Sequence, residues 1–192
     1  MQLIDDPAYQ KHMASIVADG FTLDPAGYQR LSPWTHMLMH IIHARANFQW
    51  VRDHPVSLGD LNNALQQQAF FIAGIMAYGR CYASSGSNIK MLNAREVYKG
   101  STDGMEIHSR LNELRNTIAA HTDTSDLVRL TLAVKDEPTQ VTIRHISTTA
   151  IPTKEIPDFL EAVAHTEHFV EVSINKYLNH LEKQVGKPIV VD

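Results

Sequence analysis

The sequence predicts a mainly α protein: a four- to five-helix bundle with one β-hairpin inserted before its last helix. Three observations carry this. Apolar residues recur at helical spacing through most of the chain. The period drops to two in one stretch only, residues 127–148. Capping residues, prolines and glycines fall where helices would start and stop. The length of 192 residues suits a single domain.

The elements follow in order. "DDPAYQKHMASIVADG" predicts a first helix, with Asp6 as cap, Pro7 as first residue and Gly20 as stop. Ser32 is expected to cap a second helix and Pro33 to open it. Trp34, Met37, Leu38, Ile41, the stem of Arg45, and Phe48 form its apolar side, and Pro55 ends it. Ser57 is expected to cap a third helix through "LGDLNNALQQQAFFIAGIMAYGRCYAS", with Leu61, Leu65, Ala69, Ile72 and Met76 as its stripe. A connection follows, with one helical turn near Ala94–Tyr98. The fourth helix runs from Thr102 to His121 on a stripe of Ile107, Leu111, Leu114 and Ile118. "LVRLTLAVK" and "QVTIRHIST" alternate around the turn "DEPT" as a hairpin. Pro152 and Pro157 bracket the start of a last long helix, Thr153 to Val185. The acids Glu155, Asp158, Glu161, Glu167 and Glu171 read as its solvated face.

Composition removes several function classes. The formal net charge is −4, so a broad basic face for long nucleic acid is not expected, and any such contact needs a small basic site. Residues 80–115 lean mildly basic. One cysteine, Cys81, allows no internal disulfide and no multi-cysteine metal site; it reads as a small buried residue. No signal peptide or spanning segment is apparent, so a soluble, cytoplasmic protein with no membrane partner is expected. Phosphate-binding glycine loops and a nucleophile elbow are absent, and no cofactor is called for.

Histidines invite a second reading. His36, His40 and His43 recur at i, i+4, i+7 on the second helix, and His165 and His168 lie on the last. A helical bundle can hold a metal with such residues. Paired Glu-x-x-His signatures are missing, and packing or interface roles are commoner for histidines beside an apolar face. A bundle with a histidine-ligated metal therefore stands as an alternative, with no metal ligand assigned.

The end of the fourth helix reads "ELRNTIAAHTD". On a helical wheel His108, Asn112 and Arg115 share one flank of the apolar stripe, and His121 falls on the other. Within one regular helix Arg115 and His121 do not meet. Across a two-fold pair each histidine can approach the other subunit's arginine. Arg80, at the end of the third helix, either caps carbonyls there or reaches the Arg115 region.

Arg115, Asn116 and His121, "RNTIAAH", resemble the signature of the HEPN superfamily: an arginine, a polar residue, then a histidine after a short gap. The longer string Ile107 to Asp123, with His108 leading, is also similar to HEPN-like bacterial proteins. The resemblance implies one helical domain over residues 1–192. It also implies a metal-independent endoribonuclease, toxin or phage-defence related, working as a homodimer on RNA, with an antitoxin or other protein as a further partner. In that reading Arg115, Asn116 and His121 are catalytic, and His108, Asn112 and Arg80 bind substrate. RNA cleavage needs groups that move protons, which histidine suits, and a cation that holds phosphate, which guanidinium suits. The resemblance also allows a non-catalytic module that binds RNA, a nucleotide or a protein. Without it, Arg115 and His121 are simply a polar helix end.

Overall fold

The computed structural model describes residues 6–22, 27–56, 60–83, 91–120 and 128–191. Among the described residues six α-helices and a two-stranded antiparallel hairpin make a mainly α fold, with the hairpin before the last helix.

α1 spans Pro7–Ala18, and Asp6 caps it by accepting from the Ala8 amide at 2.8 Å. α2 spans Leu31–Asp53. It starts one residue before the expected cap, because Leu31 already donates to Tyr28 across a turn. Ser32 therefore lies inside the first turn, and Pro33 sits there without losing a hydrogen bond. Met37, Ile41, Ala44, Phe48 and Val51 are its buried side. Trp50 stacks between Phe70 and His54, with ring centroids 4.2 and 4.4 Å away.

α3 spans Leu61–Arg80. Ser57 lies outside the described residues; the cap is Asp60, which accepts from the Asn63 amide at 2.9 Å. The expected stripe is displaced. Leu61 and Leu65 are 54% and 50% exposed, while Gln67, Phe71, Gly74, Ile75 and Tyr78 are buried. The larger aromatic surface wins the core, and it faces Phe48 at 6.3 Å from Phe71. Gln67 can be buried because its amide donates to the carbonyls of His54 and Val51, which lie at the end of α2.

α4 is the short Ala94–Val97 turn, capped by Asn93. α5 covers Thr102–Ala120. β1, Val128–Glu137, pairs with β2, Gln140–Thr149, around a two-residue loop, so the turn is shorter than "DEPT". The register sets Val134 opposite Ile143. Leu132, Val134, Val141 and Ile143 share one face, and all are more than half exposed. A single 3-10 turn, Thr153–Glu155, leads into α6, Ile156–Val185, which stops where Gly186 adopts φ 70°.

α2, α3, α5 and α6 form a ring in which each helix touches two others. Phe48, Phe71 and Phe159 meet at its centre. Glu167 corrects the expected solvated acid face. It is buried and takes both its carboxylate oxygens to Arg45 Nη1 at 2.7 Å. Glu155 likewise pairs with Arg110 at 2.9 Å, tying α5 to the start of α6. Cys81 is buried, and burial pushes its thiol up to about 12. Among the described residues no helix is long and apolar enough to cross a membrane.

Candidate functional site: a groove beside Arg115

α5 turns more of its polar flank inward than its stripe suggests. Leu111 and Leu114 are buried as expected, and His108 joins them at 8% exposure. Asn112, Arg115 and Asn116 follow along the same ridge. They line an open groove of about 490 Å³ together with Tyr82, Asn93 and the apolar Met91, Leu92 and Ala94.

Arg115 is seated by its neighbours. Its aliphatic stem crosses α3 at Gly79, where an added Cβ would run into the Arg115 carbons. A side chain at position 79 would therefore unseat the guanidinium. Asn116 Oδ1 accepts from Arg115 Nη2 at 3.0 Å and from Nε at 3.3 Å. Gly79 O accepts a long bond from Nη1 at 3.5 Å. Among the described residues no carboxylate pairs with Arg115. Its charge thus faces the groove only partly satisfied.

His108 is held from behind by a chain of hydroxyls that sequence reasoning missed. Its Nδ1 lies 2.7 Å from Tyr78 Oη, which lies 2.8 Å from Tyr98 Oη. Tyr98 donates to the Ala162 carbonyl at 2.9 Å, and Thr166 donates to the same carbonyl. Tyr82 Oη reaches Thr166 Oγ1 at 2.8 Å. The order His108 Nδ1 to Tyr78 to Tyr98 to Ala162, with Tyr82 donating to Thr166, gives a hydrogen to five of the six short contacts and leaves only the Tyr98–Thr166 contact at 2.9 Å without one. That order assigns the proton to Nδ1 and leaves Nε2 as an acceptor, facing the Asn112 amide nitrogen at 2.7 Å. Burial, then the charge of Arg115, holds His108 below the usual histidine range, so it is neutral near neutral pH. Burial also raises Tyr78 and Tyr82 well above the usual tyrosine range, and raises Tyr98. The only available signal was the Tyr78–Tyr82 spacing of one helical turn, which reads equally well as packing.

The predicted residues are only partly brought together. His108, Asn112, Arg115 and Asn116 share the groove. Arg80 is exposed at the end of α3 and is not among the groove's lining residues; its charge instead bears on His40. His121 lies outside the described residues. His36 and His43 also act on His40, which is lowered first by burial. Among the described residues no group of three or more His, Cys, Asp or Glu side chains is placed to hold a metal. His165 instead lies edge-on to Tyr98 at 6.0 Å.

Comparison of the chain with family models, with curated proteins and with solved structures finds no match.

Proposed function

We propose that the chain is a HEPN-like, metal-independent endoribonuclease that acts as a homodimer, with a toxin or phage-defence setting and an antitoxin partner as its context. One observation carries the reading: Arg115 opens onto a polar groove with no carboxylate partner among the described residues. A guanidinium in that state suits a phosphodiester oxygen, which it can engage through two parallel bonds. Asn116 aims the guanidinium rather than the phosphate, since its oxygen is already taken by Arg115. His121 would supply the proton transfer at the 2′-hydroxyl or the leaving oxygen, and its copy on the second subunit the complementary step.

The test uses purified protein, a labelled RNA and thermal melts. Arg115→Ala should weaken RNA binding by about tenfold or more, the scale of one lost charged hydrogen bond. His121→Ala should keep binding and lower cleavage by roughly a hundredfold or more. Cleavage should survive EDTA. If magnesium were required, or if both variants cleaved like the parent, the reading would be wrong.

A second reading is a module that binds RNA or a nucleotide without turnover. It is favoured by His108, whose two ring nitrogens are both engaged, so the described groove offers phosphate-holding groups and no unoccupied base. A parent protein that binds RNA through Arg115 and cleaves nothing would select it.

A further inference from the structure

The geometry points to an anion site in this groove whose affinity is coupled to proton uptake at His108, with the Asn112 amide as the part that turns. The inference rests on the proposed reading only in treating the groove as a phosphate site; it does not require cleavage.

It follows from how hydrogens are distributed. The arrangement that serves most of these contacts runs from His108 Nδ1 through Tyr78 and Tyr98 to the Ala162 carbonyl, which makes Nδ1 the donor. Nε2 is then the one ring nitrogen that can change state. While it is an acceptor it holds the Asn112 nitrogen at 2.7 Å, which leaves the Asn112 oxygen to the groove. That oxygen repels an anion beside Arg115. Once Nε2 carries a proton, a nitrogen donor can no longer sit against it. The amide turns over, offers its oxygen to the imidazolium, and presents its two N–H bonds to the groove. Protonation therefore adds a positive charge and exchanges an acceptor for donors at the same wall.

Among the described residues no acid faces the ring to cancel that charge. α3 and the turn after it bring Tyr78 and Tyr82 to the ring, and the residue that ends α4 is Tyr98, all neutral phenols. α6 adds Thr166 and, behind Tyr98, His165. α5 itself adds the Arg115 cation. Glu167, the buried acid of α6, is committed to Arg45. Among the described residues nothing offsets the imidazolium, and a bound anion would compensate it. By linkage, the anion must raise the affinity of His108 for its proton by the same factor that the proton raises the affinity for the anion.

Sulfate is the probe, because its charge does not change over the histidine range. Its binding is followed at constant ionic strength from about pH 8 to about pH 5.5 by NMR, at the His108 ring, the Asn112 amide and the Arg115 Nε–H. Sulfate affinity should rise roughly tenfold, and saturating sulfate should move the His108 midpoint upward by about one unit. The Asn112 amide resonances should change with that same midpoint. Asn112→Ala sits at a half-buried helical position, keeps the ring, and should lose most of the gain. Sulfate binding that is equal at both pH values, or a His108 midpoint unmoved by sulfate, sinks the coupling and leaves the phosphate site standing. Full gain in Asn112→Ala sinks the amide's role. No sulfate binding at the groove at any pH sinks both the coupling and the phosphate site. RNA cleavage is decided separately by the His121 variant.

Discussion

Arg115 owes its position to the absence of an atom. Gly79 lies in an α-helix, where alanine would gain up to about 1 kcal/mol in propensity. The extra methyl would also collide with the Arg115 stem, and overpacking of this kind costs about 1–3 kcal/mol. The terms nearly cancel, so Gly79→Ala should melt within a few degrees of the parent while RNA affinity falls as though Arg115 had been shortened. Melting curves beside RNA titrations check this; parental affinity in the variant would show that the seat is not needed. His108 makes a second prediction at this scale. Its pKa is lowered in the fold, so the unfolded chain takes up its proton first as the solution is acidified, near pH 6.5. The stability contributed by neutral His108 is present above that value and is lost below it. The melting temperature should therefore drop on acidification below about pH 6.5, and sulfate should restore more of it there than at about pH 8. Equal sulfate effects at both values would contradict the linkage.

At the scale of the element, the hairpin differs from everything else. Its two ten-residue strands pair fully, yet Leu132, Val134, Val141 and Ile143 remain exposed, and its contact with the bundle runs through β2 against α3. A two-stranded ribbon without a covered face is marginal in water. Amides of residues 131–146 should accordingly exchange with solvent well before those of α2 and α6 in native-state hydrogen exchange. Protection equal to the bundle's would mean that this face is covered in solution. The hairpin was legible from sequence because alternation and a turn are local signals. So were the helices, since Asp6, Pro7, Pro55 and Gly186 act within one turn of themselves. The buried face of α3 was not. Leu61, Leu65, Ile72 and Met76 make as good a stripe as Phe71, Ile75 and Tyr78, and only the neighbouring helices choose between them. The same holds for His108, whose polarity suggested a surface flank until Tyr78 supplied a hydrogen-bond partner and Tyr82 and Tyr98 packed their rings against it.

The whole molecule raises the question of partnership. The groove holds Arg115 with Asn112, Asn116 and His108, while the helical wheel of the sequence sets Arg115 and His121 on opposite flanks of the apolar stripe. A site that uses both needs a second copy if α5 stays regular to its end. Light scattering should then report a dimer at micromolar concentration. Excess His121→Ala mixed into the parent should lower cleavage by more than dilution, since each mixed dimer keeps one histidine and the two proton transfers use both. A monomer that cleaves RNA would exclude the shared site. The core gives no reason for the pairing by itself: the ring of α2, α3, α5 and α6 already encloses its own aromatic centre.

The tyrosine chain behind His108 also gives the protein an optical signature in alkali. The chain has six tyrosines, and burial opposes the phenolate in Tyr78, Tyr82 and Tyr98, most strongly in the first two. In the unfolded chain the same side chains ionise near pH 10. Their folded pKa is raised, so the stability they contribute is intact below that value and drains away as alkali is added. Their share of the phenolate absorbance, that of Tyr78 and Tyr82 above all, should therefore be missing while the helices persist, and should appear abruptly as the circular dichroism collapses. Added base would act on this protein as a denaturant with a built-in dye.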